Sequence, residues 1–271
     1  MLIRARRFGL SALAALAVAL MASPAAAQDA APVVVVTGGL DFVNQYNFRG
    51  IRQNTEGVSV WPFVDFGFTP FRGDGALKTV NINVGTWNAI HSQINDGNKL
   101  YETDFYGVLG FGFSRGALAF TYTSYTSPAD LFAHVKELAV KASFDDSAAL
   151  GRGALKPYAM VAFEMDNQAD AGDSTGTYVE LGIAPGISGS RASLAIPVKV
   201  GLSGGDYYEF GYGTGDSKFG YFSIGGIVTV PMGSHANIHG GVEFQAFGDN
   251  VADYNGQDTA GIASIGLGFA F

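Results

Sequence analysis

Two groupings in this sequence of 271 residues carry residue types that could do chemistry. The first is one cation with three acids: Arg49, Asp65, Glu102 and Asp104. A guanidinium binds carboxylates through a two-pronged fork. Held in one cavity, these four would form a charged constriction or a salt-bridged plug. The second grouping is Ser124 and His134. A hydroxyl within hydrogen-bond reach of an imidazole is the start of a nucleophilic site. No orienting acid is evident, since Asp130 is only nearby in sequence, so a polar cross-strand pair is the plainer reading. There are no cysteines, which excludes thiolate metal sites and thiol nucleophiles. His91 and His235 fall in connections, and His239 stands alone on its face of a strand. No metal cage or cofactor site follows from these spacings. Glycine pairs such as Gly225-Gly226 lie within strands and do not precede helices, so they make no phosphate loop.

The elements that must position these residues begin after an export signal. Arg4, Arg6 and Arg7 precede the apolar run Leu10 to Met21, and Ala25-Ala26-Ala27 offers a cleavage site. Residues 1–27 are expected to be a signal peptide, 28–32 a short tether, and 33–271 one domain. The full chain has 24 acidic against 16 basic residues, and losing three arginines widens that gap. Such a chain makes a poor nucleic-acid binder.

Beyond the tether the pattern has period two. Val80, Ile82 and Val84 alternate with small or polar residues, as do Phe105, Leu109 and Phe111, and later Leu194, Ile196, Val198 and Val200. About twelve such segments occur, each near the 9–11 residues a tilted strand needs to cross a bilayer. They start near Val33, Val58, Leu77, Tyr101, Ala117, Phe132, Leu155, Gly176, Ser193, Phe219, Ala236 and Gly261. Connections alternate between short ones, such as Ser114-Arg115-Gly116, and longer polar ones, such as Gln45 to Gly57 and Gly248 to Ala260. Short turns at one end and long loops at the other predict an all-β fold: a closed antiparallel transmembrane barrel of about twelve strands. Only closure leaves no strand edge in lipid. The last strand, ending at Phe269 and Phe271, turns its large residues to lipid and its small ones inward. A terminal Phe is also a feature of bacterial outer-membrane barrels that the barrel assembly machinery recognises.

Strand phase places Arg49 near the external end of the first strand and Glu102 and Asp104 near that of the fourth, all pointing inward, with Asp65 lower down. The other inward charges by phase are Asp41, Glu137, Lys141, Lys156, Glu164, Glu180, Lys199 and Glu243. Acids outnumber bases, and an acidic lumen favours cations. Acids in the loops are expected to be solvated, or bridged by divalent cations to lipopolysaccharide phosphates.

The segment "LDFVNQYNFRGIRQ", followed by "VSVWPFVDFGF", "NINVGTWNA" and "YETDFYGVLG", resembles the proteobacterial TorF-like porin family. Tyr46, Phe48, Arg49, Gly50 and Ile51 match that family's Tyr-x-Phe-Arg-Gly-Ile segment. Glu102, Asp104, Tyr106 and Gly107 match its later Glu-x-Asp followed by an aromatic and Gly. Arg52 departs from the usual Ser. The match covers roughly the N-terminal third and implies an outer-membrane porin of Gram-negative bacteria.

The expectation is therefore a non-enzymatic channel in outer-membrane lipid, passing small polar or cationic solutes. The alternatives are a non-conducting scaffold with a plugged lumen, and a lipid hydrolase using Ser124 and His134. Monomer and trimer fit the pattern equally.

Overall fold

The computed structural model describes residues 34–54, 56–93, 99–211 and 215–271. The expected signal peptide 1–27 and tether 28–32 lie outside the described residues. The strands are β1 (Val34–Val43), β2 (Tyr46–Phe48), β3 (Ile51–Asn54), β4 (Ser59–Arg72), β5 (Leu77–His91), β6 (Leu100–Phe113), β7 (Gly116–Thr126) and β8 (Val135–Phe144). They continue as β9 (Tyr158–Asp166), β10 (Thr177–Ile183), β11 (Gly186–Ser188), β12 (Ser193–Ala195), β13 (Val198–Gly205), β14 (Phe219–Met232), β15 (Ala236–Phe247) and β16 (Thr259–Ala270).

These segments make a closed antiparallel barrel of twelve staves. The ring runs β1, β4 to β10, β13 to β16 and back to β1. Closure is made by β1 and β16, in register from Thr37 opposite Ala270 to Val43 opposite Ser264. Phe271 and Val36 then exchange two backbone hydrogen bonds of 2.9 Å. Two staves are interrupted, β10 from β11 at Pro185 and β12 from β13 at Pro197. Proline has no N–H to give the ladder. Its carbonyl still accepts, from Ile196 at Pro185 and from Gly225 at Pro197. The twelve expected segments start within three residues of the observed staves.

The outer face carries a continuous apolar belt that includes Phe66, Ile82, Val84, Phe105, Leu109, Val242, Phe244, Ile265 and Leu267, all exposed. A water-soluble chain does not leave a patch of that extent bare. On the inner face Gly266 lies beside Asp41 and His239, and an added Cβ there would meet Asp41 Oδ1 at 2.1 Å. The small residues of the last strand therefore make room for polar side chains inside.

Two connections differ from expectation. The turn from β8 to β9 is longer than a hairpin and contains a one-turn helix, Ser147–Leu150, whose first carboxylate neighbour Asp146 accepts from the N–H groups of Leu155 and Lys156. Lys156, assigned to the lumen by phase, lies in this turn and on no stave; the strand begins later, at Tyr158, after Pro157. The segment from Gln45 to Gly57 is not a solvated loop. It forms the hairpin β2–β3, which folds into the barrel.

Candidate functional site

The inserted hairpin turns on Arg49 (φ 48°) and Gly50 (φ 85°). Two successive left-handed residues make the tight turn whose twist suits a two-residue hairpin loop. Gly50 is required twice over, because an added Cβ would also press on the Tyr221 ring at 3.1 Å. Tyr46, Phe48 and Ile51 are all buried. Exposed on an external loop they would be three apolar groups in water; inside the lumen they join its aromatic filling. Tyr46 packs on Trp61 and Trp87, with ring centroids 5.2 and 5.7 Å away. Phe48 meets Tyr125 at 5.9 Å.

Polar contacts hold the hairpin to four parts of the wall. Arg49 forks onto Glu137 of β8, Nη1 donating to Oε2 at 2.6 Å and Nη2 to Oε1 at 2.8 Å. Arg49 Nη1 also donates to Tyr207 Oη at 2.9 Å, and the guanidinium lies 4.1 Å from the centre of the Tyr178 ring. Tyr46 Oη donates to Glu102 Oε2 of β6 at 3.0 Å. Asn47 Nδ2 donates to Gln245 Oε1 of β15 at 2.9 Å. From above, the helix Asp249–Asn255 clamps the turn: Asn255 Nδ2 donates to the Gly50 carbonyl at 2.8 Å, and Asn255 Oδ1 accepts from the Arg52 N–H at 2.9 Å. This helix lies where the sequence pattern predicted only a polar loop.

The expected constriction is thus rearranged. Arg49 sits at the hairpin tip, not on the first strand, and its carboxylate partner is Glu137. Glu102 and Asp104 are inward and buried beside the hairpin's Tyr46. Asp65 belongs to the next layer, where it accepts from Asn83 Nδ2 at 2.6 Å. Of the remaining phase-assigned charges, Asp41 contacts His239 Nε2 at 2.6 Å, so that histidine is not alone. Lys199 pairs with Glu243 at 3.6 Å, and Lys141 lies 4.0 Å from the centre of the Tyr158 ring. Glu180 accepts from the hydroxyls of Tyr158, Tyr178 and Tyr221. Glu164 ties down its own loop by accepting the N–H groups of Ala169 and Gly176. His91 ends β5 and shares a hydrogen bond with Ser59 at 2.9 Å.

The sequence pattern puts Tyr106 and Tyr178 on the small-residue face but gives the inward tyrosines no role. Tyr106, Tyr178 and Tyr221 occupy the same phase as the glycines, and glycines are their counterparts; Tyr125 shares its phase with Ala and Thr on β7. A Cβ at Gly201 would come 2.2 Å from the Tyr221 ring. The recurrence of Tyr on the small-residue face was the available signal.

On the outer face, Ser124 Oγ and His134 Nε2 are 2.7 Å apart, so the two residues do meet across the β7–β8 hairpin. Their neighbour Asp166 is engaged by Lys136 at 2.7 Å, and Asn167 donates to the His134 carbonyl.

No protein-family model and no curated protein sequence matches the chain. Among solved structures it is similar to an outer-membrane channel from Pseudomonas putida F1, at 12% identity, over 89% of this chain and 97% of that one, with a TM-score of 0.50. It is also similar to the NanC porin, at 11% identity over 88% and 98% of the two chains (TM-score 0.46). Outer membrane phospholipase A from Escherichia coli gives 12% over 86% and 92% (TM-score 0.47). Identities this low speak to the fold alone, which is that of an outer-membrane β-barrel.

Proposed function

We propose that the protein is an outer-membrane channel for small polar or cationic solutes, closed by its β2–β3 hairpin. The carrying observation is the nature of the closure. The loop end of the lumen is filled by a separate loop segment, held by hydrogen bonds and one ion pair. A barrel built only as a solid scaffold would be filled by side chains of its own staves. Nearer the turn end the wall carries charge, and acids outnumber bases there and around the hairpin, which favours cations. In this reading the long loops face outward from the cell and the short turns face the periplasm, with the apolar belt in lipid and the loop acids at the lipopolysaccharide.

The test is conductance across a planar bilayer under a salt gradient, using the refolded chain without residues 1–27. The intact protein should conduct in rare, brief openings. A variant with residues 45–57 replaced by a short Gly-Ser link should conduct in stable steps, with a cation-selective reversal potential. If neither conducts, the barrel is a scaffold and the channel reading fails.

One observation favours a second reading, a lipid hydrolase: the 2.7 Å contact of Ser124 with His134 on the outward face. Hydrolysis of a lipid ester would need that serine as nucleophile and that histidine as base. The channel reading expects no fatty-acid release from phospholipid vesicles that depends on Ser124. Release abolished by Ser124→Ala would make the protein an enzyme.

A further inference from the structure

The short-turn end of the barrel is basic. Six cationic side chains stand at its first four turns: Arg72 and Lys78 where β4 meets β5, Arg115 between β6 and β7, Arg152 and Lys156 between β8 and β9, and Arg191 between β11 and β12. Three acids share these turns, Asp74, Asp145 and Asp146. The four arginines are exposed, and none of the six cations forms an ion pair among the described residues. The acids of the third turn are used within it. Asp145 accepts from the Ser147 N–H at 2.9 Å, and Asp146 from the N–H groups of Leu155 and Lys156. The loops at the other end carry mostly acids.

Beside the third turn the apolar belt has a notch. On the outer face of β8 and β9, Leu138 stands opposite Phe163, Val140 opposite Val161, and Ala142 opposite Ala159. The two alanines are exposed and interrupt the row of large side chains. An open groove of about 330 Å³ lies here, lined by Ala142, Ser143, Phe144, Pro157, Tyr158 and Ala159. Next to it Phe113, Gly116 and Phe144 form one row across β6, β7 and β8, with both rings exposed. Outward aromatic residues at the end of a stave mark the membrane interface. The cations lie just past that row. Arg115 adjoins Gly116, and Lys156 adjoins Pro157 of the groove. The Asp145 N–H donates to the Arg115 carbonyl at 2.9 Å, which ties the second turn to the third. The Asp145 carboxyl is held below its ordinary range by the hydrogen bonds from Ser147 first and by the charges of Lys156 and Arg115 after them, so these two cations converge on one place. The turn begins about 10 Å along the stave from the alanine pair. The groove is therefore at acyl depth when the cations are at headgroup depth.

We propose that this face binds one anionic glycerophospholipid of the leaflet on the short-turn side. Arg115, Arg152 and Lys156 hold its phosphate, and one acyl chain lies in the groove over Ala142 and Ala159. Charge and shape select together. Cations in excess over acids attract an anionic headgroup, and the small side chains leave room that an acyl chain fills by dispersion contact. A zwitterionic lipid fills the groove equally well but brings its own ammonium to a basic turn. The acidic loop end would repel the anionic headgroup. The site rests on the barrel standing in lipid and is independent of whether its lumen conducts.

The test uses the refolded chain without residues 1–27 in bilayers of phosphatidylglycerol and phosphatidylcholine with identical acyl chains. Native mass spectrometry then counts the lipid that stays on the released barrel. The wild type should retain one phosphatidylglycerol in preference to phosphatidylcholine. Arg115→Gln, Arg152→Gln and Lys156→Gln should each weaken that preference by roughly fivefold, the effect of one basic residue at an anionic surface. Three separate variants keep the test available if one of them does not fold. Ala142→Phe fills the groove with the charges intact and should remove the retained molecule. Equal retention of the two lipids, or a preference unchanged by all three glutamine variants, overturns the proposal. Retention unchanged in Ala142→Phe does so too, because charge alone would then hold the lipid. Displacement by inorganic phosphate or free glycerophosphoglycerol as readily as by phosphatidylglycerol would leave an anion site with no lipid specificity, and overturns it. So does lipopolysaccharide retained in place of phosphatidylglycerol when both are supplied.

Discussion

Arg49 adopts a backbone conformation that costs an ordinary residue about 1–2 kcal/mol, and its φ of 48° is retained by what the side chain reaches. It makes a bidentate pair with Glu137, a hydrogen bond to Tyr207 and a face contact with Tyr178. Arg49→Ala removes all of these and leaves Glu137 buried without its counter-charge. Breaking one partner of a buried pair costs about 3–5 kcal/mol, a penalty the protein can avoid by releasing the hairpin and wetting Glu137. The expected outcome is a barrel that stays folded, with red-shifted tryptophan emission and longer channel openings. Arg49→Lys should fall between, since an ammonium cannot fork. Unchanged emission and gating in Arg49→Ala would show that the pair is not what seats the hairpin. At this scale the sequence was half legible. Strand phase assigned Glu102, Asp104 and Glu137 to the inward face, where alternation is strict on long staves, and all three are buried. It mismatched Arg49 with Glu102 and Asp104, because Arg-Gly is not one of the Asn-Gly or Asp-Gly pairs that announce this hairpin turn.

The hairpin is held as an element by a helix that nothing in the alternating pattern revealed. Asp249–Asn255 is barely two turns long, and its end is marked by Gly256 in the left-handed conformation at φ 68°. So short a run does not repeat its apolar positions often enough to stand out; only Val251 and Asn255 are buried. Asn255 spends both ends of its amide on the hairpin, on the Gly50 carbonyl and the Arg52 N–H. Asn255→Ala leaves those backbone groups without partners, a penalty of about 1–3 kcal/mol for each one that stays buried. The barrel ladder does not depend on them. Limited proteolysis of the folded protein in vesicles should therefore show faster cleavage within residues 45–57, with the staves still protected. Cleavage at the wild-type rate would mean that the wall contacts alone hold the hairpin. The staves split by Pro185 and Pro197 show the opposite balance. Each was read as one segment, and each still acts as one stave, because a proline carbonyl accepts although its nitrogen cannot donate.

For the molecule as a whole, stave number and the division into an apolar and a small-residue face were legible because they depend on period and connection length, which many residues report together. The filling of the lumen was not, because it depends on where one loop goes after it leaves the wall. Adjacent residues on β5 test the two faces against each other. Val84 is more than half exposed on the apolar belt, whereas Asn83 points inward and donates to Asp65 at 2.6 Å. Val84→Arg puts a charge against lipid near the middle of a long stave, where the cost is about 2–4 kcal/mol. Asn83→Arg puts the same charge beside a carboxylate that pairs with no cation among the described residues, so it should cost far less. It should also weaken cation selectivity in any variant that conducts, since it cancels one lumen acid. Denaturant unfolding of both variants in the same vesicles separates the effects. A soluble barrel, with its outer face in water, would tolerate Val84→Arg and reject Asn83→Arg. The order of the two stabilities therefore reads directly which face meets lipid, independent of any transport assay.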